Sequence, residues 1–496
     1  MLTRESGGPG HGPDRIAGAL AANRLGAPSV VYFVMSAAAP LTVVAGVLPT
    51  AIAATGITGL PIAFIAIGLV LALFSVGYVA MARHMANAGA FYTYISRGLG
   101  RPAGVPAAWV AILAYNGLAV GAFFMLGVQT SALLEGWLGA AIPWWAFALL
   151  AWAVVAALGV LRVDVNGKLL AVLLTAEVAI ILLFNLGDLI NPSPAGLTLE
   201  TLSPGLLFTE GVAPLIVIAT LGFVGFEAAV VFSEESREPR RTVPLATYAS
   251  VAIIAGLYAL SAWALSVATG PANLVAAAQK DGPEMIFVLG GAHFGGVVVD
   301  IARVLFITSL LAACISFHNT IARYLFALGR ERIIPDAFGR TSLRTGAPRT
   351  ASIAQSTLAL VVILAVWLLG ADPIQAFFVG GATGGAGVLL LLFVTAVAVI
   401  AFFAREPGGE SLWHRLIAPV PAALILAVMA FIAFTNFEAL LGVPEGDPLA
   451  MIIPIVYAAV AVIGVVWALI LRSTQPGVYA LVGMGAKAAT AKESAR

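Results

Sequence analysis

The chain has 496 residues, 61% of them hydrophobic and 10% charged, with a net charge of +1, five histidines and one cysteine. Its mean hydropathy of +1.03 excludes an ordinary soluble domain, and its cations are too few and too segregated for a nucleic-acid surface. The lone Cys314 excludes a disulfide framework or a cysteine-based metal site.

The first 27 residues are rich in Gly and Pro and lack an apolar core, which predicts a disordered cytoplasmic tail and not a cleaved signal. Stretches apolar enough to cross the hydrocarbon layer, which takes about 20 residues of helix, then follow at 28–50, 58–82, 105–133, 143–161, 168–187 and 212–232. Six more run over 243–269, 298–322, 350–369, 373–403, 416–435 and 449–471. Of the 25 Lys and Arg residues, only Lys280 and Arg303 lie toward one side of this series. The positive-inside bias therefore predicts that both termini are cytoplasmic, in a cell inner (plasma) membrane, with 188–211 and 270–297 external. The segment after Arg472 reads as a second disordered tail.

Spans one and six are both interrupted. The first holds Ser36, Ala37, Ala38, Ala39 and Pro40; the sixth holds Thr220, Leu221, Gly222, Phe223, Val224, Gly225, Phe226 and Glu227. Proline removes a backbone donor and glycine weakens a helix, so both are expected discontinuities. They occupy matching places in two consecutive groups of five spans, and an odd number of crossings inverts the second group. The predicted fold is an all-α polytopic membrane protein with 12 transmembrane helices, a 5+5 inverted repeat plus two. Its parts are a tail at 1–27, a first repeat at 28–190, an external loop at 191–211, a second repeat at 212–403, helices 11 and 12 at 404–472, and a cytoplasmic tail at 473–496. Paired broken helices in two halves point to a ligand site at the midplane.

Three segments carry a resemblance. They are GYVAMARHMANAGAFYTYISRGLG (77–100), LGFVGFEAAVVFSEESREPRRTVPLA (221–246) and RYLFALGRERIIPDAFGRTSLRTGAPRTA (323–351). They contain Ala88-Gly89-Ala90-Phe91-Tyr92, Gly225-Phe226-Glu227, Glu234-Glu235 with Pro239 and Pro244, and Arg330-Glu331-Arg332 with Pro335. In this order and spacing they resemble the amino acid-polyamine-organocation (APC) superfamily of permeases, over about residues 15 to 475. The resemblance implies the LeuT-type repeat and secondary active import of an amino acid or related amine, with no cofactor.

The intramembrane carboxylates are the first candidates for proton coupling, because charge at that depth is costly. Glu227 lies beside the break in span six; its alternative role is to bond a freed carbonyl there. Glu177, in span five, falls near where some proton-coupled relatives carry a lysine, so this chain departs from their pattern; its alternative is a pair with a polar neighbour such as His318. Freed N–H groups after Ser36, Ala37, Ala38 and Ala39 suit a substrate carboxylate, and freed carbonyls at Thr220, Leu221 and Gly222 suit an ammonium. The resemblance suggests Phe223 and Phe226 as an aromatic lid, and Asn116 beside Tyr115 as a side-chain contact, with ordinary packing as the alternative. Ser309 and Ser316 would serve only a sodium-coupled mechanism; no other metal is expected. The charged run Glu234, Glu235, Arg237, Glu238, Arg240 and Arg241 is expected to be a solvated or locally paired turn, with closure of an inner gate as the alternative. Proton symport leads, an exchanger or sodium symporter follows, and a polytopic enzyme is disfavoured because four of the five histidines lie outside the spans. The expected partners are the substrate, protons or sodium, and the lipid bilayer, with no nucleic acid.

Overall fold

In the computed structural model, residues 20, 24–85, 89–161, 163–209, 211–342, 344–441, 443–444 and 446–485 are described. Ala88 of the first motif and the outer parts of both tails lie outside them. Eleven helices are long and apolar enough to cross a membrane, and Trp144–Gly159 is a shorter apolar helix between two of them. In chain order they are α1 (Ala27–Thr55), α2 (Leu60–His84), α3 (Arg101–Leu138), α4 (Trp144–Gly159), α5 (Gly167–Ile190) and α6 (Val212–Glu235). The rest are α7 (Pro239–Thr269), α8 (Gly296–Arg330), α9 (Arg349–Leu368), α10 (Pro373–Arg405), α11 (Trp413–Thr435) and α12 (Pro448–Thr474). With the shorter helix counted, a helix stands at each of the twelve predicted spans, in an all-helical membrane protein.

The ends follow local chemistry. Proline opens α10 and α12, where a missing N–H costs nothing, and the carboxylates of Asp372 and Asp447 cap the amides of Ile374 and Leu449, each at 2.8 Å. The most apolar window of α6 is 83% buried, against 22% for α12, so α6 lies at the centre and α12 at the lipid-facing edge. The glycines of 380–387 bring α10 against Gly117 and Gly121 of α3, the packing role expected of them.

Both expected interruptions are real. The first half of α1 ends at Ala38; Ala39 is left-handed at φ 45°, and the helix resumes at Pro40 before a π turn over Val43–Val47. A non-glycine residue in that region is strained, and such strain persists only where packing holds it. In α6 the regular helix ends at Leu221, and a tighter 3-10 helix runs from Phe226 to Glu235.

Three departures concern the side on which the chain ends lie. Helix α8 continues past the expected end at 322 to Arg330 and carries Arg323 inside the protein. The segment after Arg472 is ordered as far as Gly485: Pro476–Leu481 is helical, Val482 is buried, and Arg101 bonds Ala480 O at 3.0 Å. Part of the first tail is also held, since Arg24 N and Leu25 N both donate to Glu235 O and Arg237 N donates to Leu25 O.

Candidate substrate site

The two breaks touch. Gly225 has φ 119°, and a Cβ there would stand 2.7 Å from the Cβ of Ala37 and 3.1 Å from Ala38 N, so only glycine allows the approach. Tyr258 of α7 fixes the other strand of the break by donating to Ala38 O at 3.1 Å. A cavity of about 370 Å³ opens beside this junction. Its inner wall is Ala37, Ala38, Ala39, Thr42, Val43, Leu221 and Val224; Leu118, Phe317, Phe377 and Phe378 close its sides. It extends past Thr50 and Ala54 toward Ala439 and Leu440, on the side away from the chain ends. No charged residue lines it among the described residues.

A buried carboxylate sits at each break. Glu227, 1% exposed, accepts from Gly225 N at 2.9 Å and from the Tyr115 hydroxyl at 2.7 Å, while Tyr78 of α2 donates to the Glu227 carbonyl at 2.9 Å. Glu177, also 1% exposed, reaches from α5 to the first free amide after Pro40: its Oε1 accepts from Leu41 N at 2.5 Å and from the Ser309 hydroxyl at 2.7 Å. Ser309 is in turn 3.2 Å from the Thr42 hydroxyl, which belongs to a cavity-lining residue. A helix start bears partial positive charge and unsatisfied donors, which is why each carboxylate is tolerated there. Glu177 Oε2 is buried and has no hydrogen-bond partner among the described residues.

The opposite side is shut by charge. Arg323 of α8 holds Glu235 with bonds of 2.6 and 3.1 Å, and its guanidinium lies 4.7 Å over the Phe232 ring. Two turns further on, Arg330 holds Glu234 through two bonds of 2.7 Å. Beyond them Glu331 accepts from Gly483 N at 2.7 Å, from Gly485 N at 2.6 Å and from the Tyr92 hydroxyl. Burial, only partly offset by these donors and by Arg330, pushes the Glu331 carboxyl up to about 7.

Of the residues expected at the site, Ala37, Ala38, Ala39 and Leu221 line the cavity. Ser36 is buried next to them with its hydroxyl unbonded, and Thr220 bonds Ile216 O within its own helix. Gly222 donates to Ala219 O. Phe223 and Phe226 form no lid over the cavity; they pack outward against Phe64 and Phe74. The aromatic wall belongs instead to Phe317, Phe377 and Phe378. Asn116 is interhelical glue, accepting from Gln355 at 2.8 Å. His318 does not pair with Glu177 but with Ser352 at 2.9 Å, and Glu227 bonds a freed amide rather than a freed carbonyl. Ser316 is engaged with Phe33 O at 2.6 Å. Glu234 and Glu235 belong to buried pairs, not to a solvated turn, whereas Arg237, Arg240 and Arg241 remain at the surface.

The family model for amino acid permeases matches residues 30–475, spanning both breaks and all twelve helices. The chain belongs to the amino acid permease family. This permease is 23% identical over 381 residues to the low-affinity putrescine importer PlaP of Escherichia coli, covering 73% of this chain and 79% of that one. It is 27% identical over 238 residues to cationic amino acid transporter 7 of Arabidopsis thaliana, covering 42% and 38% respectively. A third relative, the general amino-acid permease GAP1 of Saccharomyces cerevisiae, is 26% identical over 191 residues, covering 36% of this permease and 31% of the relative. The amino acid or amine transporter class follows from the family, in a multi-pass membrane protein.

Proposed function

We propose that this permease imports an amino acid or related amine across the cell inner membrane by proton symport with alternating access. The observation that carries the reading is the pair of buried carboxyls, Glu227 and Glu177, each hydrogen-bonded to the backbone of a helix break beside the cavity. A proton arriving at either group changes the charge held at that break, and so the preference of the two broken helices for one arrangement over another. In the proposed orientation both chain ends are cytoplasmic and residues 188–211 and 270–297 external, so the cavity opens outward and the ion pairs shut the inner side. The halves 28–190 and 212–403 are the inverted repeats that rock against each other.

Sodium symport is the second reading: Ser309 and Ser316 donate to Glu177 and to the Phe33 carbonyl, and their oxygens keep lone pairs for a cation. Uptake of labelled amino acids and amines into proteoliposomes, with and without an imposed proton gradient, tests the proposal. Accumulation that follows the proton gradient in sodium-free buffer is the expected result. Accumulation that needs sodium, or uptake only against a preloaded counter-substrate, would replace symport of protons by sodium symport or by exchange.

A further inference from the structure

The connection between α7 and α8 is strapped across the outer half of α1, whose Thr42, Val43, Val47, Thr50 and Ala54 belong to the wall of the large cavity. Its helix Leu274–Asp281 packs on Leu48–Thr55, and Gln279 donates to Ala53 O at 3.4 Å. Its second helix, Met285–Phe294, lies on the π turn of α1 and on the end of α5. The fit is close: Ile286 shares with Leu41, Val44, Leu48 and Asp188 a second cavity of only about 10 Å³, space for about one water.

Side chains fasten this strap to α5. His293 Nε2 stands 3.1 Å from Asp188 Oδ1, with the two side chains 13% and 8% exposed. Beside them Phe294 stacks on Phe184, the ring centroids 6.2 Å apart. Glycine permits the seam, since a Cβ at Gly187 would stand 2.5 Å from the Phe294 ring and one at Gly290 would stand 2.7 Å from the Phe184 ring. We propose that Asp188 and His293 are a proton-operated clasp, closed by acid outside the cell, which pins the strap to α5 and steadies the outer half of α1. The inference goes beyond the transport reading and rests on its orientation, in which this side is external.

Histidine changes charge between about pH 5 and 8, and a neighbouring carboxylate favours its charged form. The bond is therefore strongest while the imidazole is protonated and the carboxylate ionised, and it weakens as pH climbs through the histidine range. Of the charged groups at this end of the packed elements, Glu284 pairs with Arg303 of α8 at 2.7 Å and Lys280 lies 3.9 Å from Asp281. Asp300, in the second turn of α8, is an acid that acts on His293 in the same direction as Asp188, and Glu177 lies three turns down α5. Residues 40–55 carry no titratable side chain, and neither does α7 beyond Tyr258. External acid thus holds the mouth of the large cavity in the arrangement described, and alkali frees it.

Hydrogen exchange in the purified full-length protein tests the clasp, read on residues 285–294 and 48–55 and corrected for intrinsic base catalysis. Both segments should exchange about tenfold more slowly at about pH 6 than at about pH 8, the factor by which a charge-assisted hydrogen bond outweighs a neutral one. In His293→Gln and in Asp188→Asn, which keep a neutral hydrogen bond, that ratio should fall to about twofold or less. A pair with a structural role alone would lose protection in the variants at both pH values and leave the ratio intact, which would overturn the proposal, as would a ratio near one in the unaltered protein. A pH response confined to 285–294 would overturn the link to α1. These readings need no transport, so uptake indifferent to a proton gradient would remove the symport reading and leave the clasp standing, whereas labelling that placed Ala276 inside the cell would overturn its reading as an external sensor.

Discussion

The guanidinium of Arg323 meets both carboxylate oxygens of Glu235, at 2.6 and 3.1 Å, with both side chains 2% exposed. This ties the end of α6 to the last turns of α8 on the closed side. Removing one partner of such a buried pair costs about 3–5 kcal/mol, whereas replacing both by apolar groups can be neutral. Glu235→Gln should therefore open the closed side, and Arg323→Met with Glu235→Met should close it again. With Cys314→Ala as background, a cysteine placed at buried Ser233 reports the change. Its alkylation should rise by about an order of magnitude in the single variant, and equal rates in all three proteins would remove Arg323 and Glu235 from the gate.

Coupling is separable from binding. Glu227→Gln fixes a neutral group whose one oxygen can still accept from Gly225 N while its NH2 donates to the Tyr115 hydroxyl, so counterflow should fall by less than about threefold while gradient-driven accumulation falls by about tenfold or more. Glu177→Gln is the comparison. If it alone abolishes accumulation and Glu227→Gln transports normally across pH, the proton belongs on α5.

Sidedness has a direct readout. Cysteines introduced at exposed Ala195 and Ala276 should react with an impermeant maleimide in intact cells, because both lie in connections opposite the chain ends. Labelling only after permeabilisation would reverse the orientation and make the cavity inward-facing.

The C-terminal segment should come loose as pH rises. Docked, Glu331 holds its proton up to about 7, against an ordinary value of 4.5, so the docked form binds protons more tightly than a released one. Docking is then strongest below about 4.5 and weakens as pH climbs through about 7. Around the carboxyl stand the Tyr92 hydroxyl, which burial keeps neutral, Arg330, itself paired with Glu234, and the two glycine amides. Hydrogen exchange at Gly483 and Gly485, corrected for intrinsic base catalysis, should lose protection between pH 5 and pH 8, the range set by that shift (roughly), and Glu331→Gln should flatten the dependence. Gly483→Ala should release the segment at every pH, since φ is 77° and a Cβ would stand 2.7 Å from that of Ser96. Protection that ignores pH in the unaltered protein would contradict the assignment.

Much of the architecture was legible because crossing a bilayer leaves a coarse signal: a run of apolar residues, bounded by arginines on one side only. Ser36 to Pro40 and Gly222 to Gly225 marked the breaks for the same reason, as residues that poorly sustain a helix. What the spans concealed were partnerships over long distance. Arg323 read as a loop cation because charge normally ends a span, and nothing in its own neighbourhood pointed to Glu235, 88 positions earlier. Phe377 and Phe378, in the first turns of α10, carry no motif that marks them, while Phe223 and Phe226 stand in one and face away from the cavity. Glu177 was visible as a costly carboxylate, but its partner, the amide of Leu41, has no side chain by which a sequence could announce it.

The stretch before α1 is pinned along the end of α6 by three backbone bonds, from Arg24 and Leu25 to Glu235 and from Arg237 to Leu25, and further along Phe33 stacks on Phe232 at 4.5 Å. Backbone bonds persist whatever side chains are exchanged. The first half of α1 and the last part of α6 are thereby yoked together where Gly225 rests on Ala37, so in the proposed alternating access a swing of either would carry the other and the two would move as a single leaf.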